Sequence, residues 1–188
     1  MVGFPSTPAP LNEAVLLFID CQMEYVTGGL PLPGVKEALK EGAKLAVLAR
    51  ANGVPVIHVV HHGRGLFDPN GEMAAIAPEV APKDGEAVII KAMPNSFAGT
   101  NLQEVLQAIG RKQLIVAGFM THMCVSTTVR AAVDFGYMST IVANACATRD
   151  LPDGEGGVVT AAELQRAELA ALSDRFAIIV PDASAWGK

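Results

Sequence analysis

At 188 residues, with 51% hydrophobic and 18% charged residues, the chain has the size of one domain and is too apolar for charge-driven disorder. A net charge of -5 and a pI near 5.3, without any long basic run, exclude the electrostatic footprint of a nucleic-acid or anionic-membrane binder. The most apolar stretches, 14–19 and 114–120, fall far short of the ~20 residues of a membrane helix, so the expected partner is a small molecule.

Residues 1–13 contain Pro and Ser but no positive start or apolar core, and read as a flexible lead-in rather than an export signal. Residues 14–188 then form the single domain. The three cysteines, Cys21, Cys124 and Cys146, lack zinc-ribbon or CxxC spacing and read as thiols of a cytoplasmic protein. Short Val- and Ile-rich runs at 14–19, 54–60, 87–90, 114–118, 139–143 and 176–180 predict six strands. Helical spacing places Val35, Ala38, Leu39, Gly42 and Ala46 on one face, ended by Asn52-Gly53. A long loop, 63–86, follows the second strand. Thr100 to Gln103 has capping-box spacing before Val105, Leu106 and Ile109, with Gly110 as terminator. Another helix should begin near Cys124, carrying Val125, Val129, Ala132 and Val133 and closing at Gly136. After a second loop, 151–159, Thr160 and Glu163 repeat the capping spacing, with Leu164, Ala167, Ala171 and Leu172 as the core face. Strands this apolar must be covered on both faces. The fold class is therefore α/β: a three-layer α/β/α sandwich on a six-stranded, mainly parallel, Rossmann-like sheet.

In such sheets ligands bind beyond the carboxyl ends of the strands, so polar residues there are the first candidates. Asp20 follows the first run, Lys91 follows the third, and Cys124 lies a short turn after the fourth. Singly, Asp20 reads equally well as a loop carboxylate, Lys91 as a solvated strand end and Cys124 as a small buried apolar residue. Together they supply a base, a cation and a thiol nucleophile, the ingredients of acyl transfer. A helix N-terminus and the Lys91 cation would both favour the Cys124 thiolate, while Asp20 would accept the thiol proton and return it to a leaving amine.

The stretch Gly118-Phe119-Met120-Thr121-His122-Met123-Cys124-Val125, running on to Thr128, Ala131, Ala132, Gly136 and Tyr137, resembles the nucleophile segment of isochorismatase-like cysteine hydrolases. Phe18-Ile19-Asp20-Cys21-Gln22, Lys91 with Ser96-Phe97-Ala98-Gly99-Thr100, and Ala145-Cys146-Ala147-Thr148 resemble other segments of that family. The resemblance implies the isochorismatase fold, Asp20, Lys91 and Cys124 as the catalytic group, a non-proline cis peptide at Phe119-Met120, an oxyanion hole from the Met120 and Cys124 N–H groups, and a homo-oligomer.

Within the family, a cysteine at position 124 favours amide or related C–N cleavage through a thioester, with ether hydrolysis as the alternative and a non-catalytic binding protein as a third reading. Nicotinamidase-like members place an Asp and two His after the second strand to hold a metal; here the segment reads His58-Val59-Val60-His61-His62-Gly63, without that Asp. No metal or other cofactor is expected. His61 and His62 remain candidates for the substrate pocket. Tyr25, Phe97 and Phe119 are candidate apolar walls, each open to a plain core reading. Cys21, Cys146 and His122 read as structural.

Overall fold

The computed structural model describes residues 7–187, so residues 1–6 of the expected lead-in lie outside the described residues. In chain order the elements are β1 (Ala14–Ile19), α1 (Val35–Ala51), β2 (Val56–His61), β3 (Ala87–Lys91), α2 (Leu102–Ile109), β4 (Gln113–Phe119), a π-helical turn (Thr121–Val125) running into α3 (Ser126–Asp134), β5 (Met138–Ala147), β6 (Leu151–Pro152), β7 (Val158–Val159), α4 (Ala161–Arg175) and β8 (Ala177–Val180). Six strands pair in the order β3-β2-β1-β4-β5-β8, every pair parallel. The two short strands that the sequence did not suggest, β6 and β7, form an antiparallel ribbon inside the 151–159 loop. Two-residue strands are too short to leave a periodic trace.

Alternation along β1 divides the core. Ala14, Leu16 and Phe18 pack with Leu39, Leu45 and Ala46 of α1, whereas Val15, Leu17 and Ile19 pack with Leu102 and Leu106 of α2, Val129 and Ala132 of α3, and Leu172 of α4. The sandwich is thus uneven, with one long helix on one face and three helices on the other. The loop 63–86 helps α1 by burying Phe67, Ala77 and Val80.

Two local expectations need correction. The Thr100 capping box does not form: Asn101 is the N-cap of α2, and the Thr100 hydroxyl donates to the Ser96 carbonyl (2.6 Å) while accepting from Leu102 N–H (3.2 Å). The box at Thr160 and Glu163 does form. On α4, Ala167 and Ala171 are exposed, and Leu172 is the residue its packing buries. At the C-terminal end, the indole N–H of Trp186 donates to the Ala9 carbonyl at 3.0 Å.

One glycine fixes how closely β1 and β4 approach. Gly118 has φ of 125°, and a β-carbon there would lie 2.0 Å from the Ile19 carbonyl oxygen, so no side chain fits. Beside it the β4–β5 register shifts, from Val116 opposite Ile141 to Gly118 opposite Cys146. β5 therefore bulges and runs four residues beyond the β-branched stretch that marked it in the sequence.

A polar cluster ties the far end of the long loop to the sheet. Glu86 accepts from Arg50 Nε (2.7 Å) and Nη2 (2.8 Å) and from Lys83 N–H (2.9 Å), and meets His58 Nε2 at 2.9 Å. Burial alone would raise the Glu86 carboxyl, but these hydrogen bonds hold it down at about 2. Burial lowers His58, against the pull of Glu86, and His58 Nδ1 has no partner. The stability that Glu86 contributes is present above its ordinary 4.5 and is lost as pH falls toward 2; His58 acts in the same direction, because the unfolded chain takes up a proton near 6.5 that the buried ring resists. Glu86→Gln should cost about 1.5–3 kcal/mol near neutral pH. In urea titrations its deficit should shrink as pH drops below 4.5; a pH-independent deficit would contradict this account.

Candidate active site

The strand order reverses between β1 and β4, and the crevice at such a switch point is where parallel sheets bind ligands. β1 delivers Asp20 one residue past its end. The carboxylate residue has φ of 52°, a left-handed conformation that ends the strand's extended alternation, while its N–H still donates to the Val59 carbonyl at 2.9 Å. Lys91 is the last residue of β3 and stands in register with His61 at the end of β2. Cys124 comes from the π-helical turn after β4, which is entered through a cis peptide at Phe119-Met120 as the resemblance implied.

The structure brings the three chemical groups together and buries them, with Asp20 0%, Lys91 2% and Cys124 4% exposed. Lys91 Nζ lies 2.7 Å from Asp20 Oδ2 and donates to Cys124 Sγ at 3.3 Å and to His61 Nδ1 at 3.4 Å. Lys91 is therefore no solvated strand end. Apart from Lys91 and Cys124, the Asp20 carboxylate has no hydrogen-bond partner among the described residues.

Electrostatics correct one expectation. Burial first, then the Asp20 carboxylate, push the Cys124 thiol up to about 12, and Lys91 only partly offsets them. At neutral pH the resting sulfur is thus a thiol, not the thiolate expected from a nearby cation and helix start. Burial also raises Asp20, against the attraction of Lys91. A carboxylate raised in this way is a better proton acceptor than an exposed one.

A cavity of about 180 Å³ opens onto Cys124 and is lined by Tyr25, Leu30, His61, Phe67, Pro94, Met120, Met123 and Arg149. A larger groove of about 570 Å³, between the first turns of α1 and α4, touches none of the three groups. Tyr25 and His61 take the positions expected of pocket residues. Three others do not: His62 is not among the cavity walls, Phe97 stacks on Phe135 and Tyr137, and Phe119 is fully buried against Tyr25. For both phenylalanines the plain core reading is the correct one. His122 pairs through Nδ1 with the Thr148 hydroxyl, and Cys21 and Cys146 are buried free thiols.

Sequence reasoning missed Phe67, Leu30, Pro94, Met123 and Arg149. Arg149 had a usable signal, its place just beyond β5; Phe67 comes from a loop whose path no periodicity reveals. The Arg149 guanidinium has no carboxylate partner among the described residues, and its buried Nε has no hydrogen-bond partner. Among the described residues no group of three or more His, Cys, Asp or Glu side chains is arranged to hold a metal ion, and no helix is long and apolar enough to cross a membrane.

The charge balance around sulfur is open to a direct check. Asp20→Asn removes the negative neighbour and leaves Lys91 to pair with sulfur, so the thiol should titrate at lower pH than in the wild type even as hydrolysis is lost. Thiolate ultraviolet absorbance followed against pH reads the shift; an unchanged or higher midpoint would contradict the assignment.

Comparison with known proteins gives the family. The Isochorismatase domain family matches residues 14–184. The chain is 38% identical to a secreted isochorismatase effector of Verticillium dahliae, over 96% of this chain and 94% of that protein. It is 32% identical to the maleamate amidohydrolase of Pseudomonas putida, over 75% and 72% of the two chains. The crystal structure of an isochorismatase from Pseudomonas putida superposes with a TM-score of 0.92 at 48% identity, covering 96% of this chain and 93% of the other. A chain that shares this domain across nearly all its length, and whose relatives are named as hydrolases and amidases, belongs to the isochorismatase family of hydrolases.

Proposed function

We propose that the protein hydrolyses an amide or related C–N bond of a small molecule through a Cys124 thioester. The observation that carries this reading is the convergence of Asp20, Lys91 and Cys124, with Cys124 lining a cavity. Asp20 takes the thiol proton as Sγ attacks the carbonyl carbon, and the carbonyl electron pair moves onto oxygen, held by the Met120 and Cys124 N–H groups. Collapse of this adduct expels the amine, which leaves with the proton from Asp20. Water, deprotonated by Asp20, then attacks the thioester, and the sulfur departs with the returned proton. Lys91 keeps the carboxylate in place and balances its charge throughout. Relatives named as maleamate amidohydrolase and N-carbamoylsarcosine amidase support C–N chemistry.

The cavity walls narrow the substrate further. A volume of about 180 Å³ equals roughly six waters of liquid, so the reacting portion is small. Arg149, an unpaired guanidinium on an otherwise mostly apolar wall, fits a carboxylate on the substrate. We place the enzyme in a reducing compartment such as the cytoplasm on the strength of its three free thiols, although the Verticillium relative is named as secreted. We also infer self-association, supported by the exposed Val88, Ile90 and Met93 along the uncovered edge at β3.

Ether hydrolysis is the second reading, favoured by a resting thiol that is protonated. Incubation with small amides should yield an acyl adduct on Cys124 in intact-mass spectra, and Cys124→Ala should lower amide turnover about 10⁴-fold or more. A vinyl ether turned over normally by Cys124→Ala would instead establish the ether route. Arg149→Met should raise KM about tenfold for amides bearing a carboxylate, with little change for neutral ones, in steady-state kinetics.

A further inference from the structure

We infer that His61 is a positioning residue for Lys91: its neutral Nδ1 accepts the third hydrogen bond of the buried ammonium and so fixes that cation between Asp20 and Cys124. The inference rests on the proposed amidase reading only for its kinetic test.

An ammonium group has three protons, and a buried one needs an acceptor for each. Asp20 Oδ2 at 2.7 Å and Cys124 Sγ at 3.3 Å use two, and His61 Nδ1 at 3.4 Å is the remaining partner. The ring is itself held. Gln22, with no solvent exposure, accepts from His61 N–H (2.8 Å) through Oε1 and donates through Nε2 to the His61 carbonyl (3.0 Å) and to the Ala74 carbonyl (2.7 Å). Phe67 packs edge-on against the imidazole with centroids 5.4 Å apart. The parallel register sets His61 beside Lys91 and Gln22 clamps its backbone, while Phe67 packs on the ring whose Nδ1 lies 3.4 Å from Nζ.

The charged surroundings keep the ring neutral. Burial lowers His61 first, followed by the positive charge of Lys91 and then His62. Asp20 lies beyond the ammonium, while Cys124, Tyr25 and Arg149 share the cavity. Glu24, the carboxylate behind Phe67, accepts from the backbone N–H groups of Gly29 (2.5 Å) and Phe67 (3.2 Å). Among the described residues no carboxylate stabilises the charged form of the imidazole. When the ring does take a proton, Nδ1 turns from acceptor to donor and faces a second cation, so the bond to Lys91 is lost as pH falls through the His61 midpoint.

Two measurements test this, one without substrate. Proton–nitrogen NMR of the unliganded protein should show His61 as the Nε2–H tautomer with a bare Nδ1, titrating below the 6.5 of a free imidazole. In Lys91→Met the midpoint should rise and the tautomer preference should weaken. An Nδ1–H tautomer in the wild type overturns the inference whatever the substrate proves to be. In amide hydrolysis, His61→Gln keeps an acceptor that cannot titrate, and His61→Phe keeps the shape without one. His61→Phe should lower kcat/KM about tenfold above the His61 midpoint, a deficit that shrinks as pH falls through it, while His61→Gln should stay within about threefold of the wild type near neutral pH and flatten the acid limb of the pH profile. A His61→Phe enzyme with wild-type rates, or a His61→Gln enzyme with the wild-type acid limb, overturns the inference while leaving the thioester reading intact. An Nε2–H tautomer in a protein that cleaves no amide would uphold the inference and remove the amidase reading.

Discussion

A lysine ammonium and an aspartate carboxylate, both shut off from solvent, meet at 2.7 Å beyond the ends of two strands that are not neighbours in the sheet. Neither charge is tolerable there alone. Removing one partner from a buried ion pair typically costs about 3–5 kcal/mol, because the remaining charge stays desolvated. The pair therefore imposes a requirement on everything around it: β1, β2 and β3 must keep their register, and the turn carrying Cys124 must return to the same point. The burial that makes the ion pair demanding also pushes the neighbouring thiol up, against the pull of Lys91.

The surrounding structure meets that requirement with backbone geometry more than with added charges. Gly118 lets β4 approach the Ile19 carbonyl where any side chain would collide, and this brings the segment leading to Met120 and Cys124 against the end of β1. The left-handed conformation of Asp20 stops the strand at the residue that must face Lys91. Gln22 then links the end of β2 to the Ala74 carbonyl in the middle of the long loop, while Glu86 anchors its far end to Arg50 and His58. Within the loop so tied, Phe67 stands as a cavity wall. The loop is thus part of the site and also part of the core, since Phe67, Ala77 and Val80 are buried in the cluster under α1.

Apolar walls and a few polar groups divide the labour in the cavity. Leu30, Phe67, Pro94, Met120 and Met123 exclude water, which strengthens each interaction among Asp20, Lys91, Cys124 and His61. Arg149 is the exception, a guanidinium whose hydrogen-bonding capacity the protein leaves largely unused. A group of that kind in the wall of the cavity would be a means of selecting an anionic ligand, separate from the three groups that would perform the chemistry.

The sequence by itself determined the sheet, the helices around it and the strand ends at which Asp20, Lys91 and Cys124 stand. Unbroken Val and Ile runs such as 14–19 and 114–118 can only be doubly covered parallel strands, and Asp20, Lys91 and Cys124 stand where such strands end. Tertiary structure decided the rest, because distance and solvation are not properties of a local pattern. Thr100 had the spacing of a cap but found a nearer partner in the Ser96 carbonyl. Phe97 and Phe119 had the chemistry of pocket walls but packed into the core, while Phe67, in a loop without periodicity, took that place. The Cys124 thiol had a cation nearby, as the sequence indicated, yet burial and the adjacent carboxylate outweighed it. Side-chain pattern fixes which face a residue prefers; only the assembled chain fixes what it meets there and how much water is left.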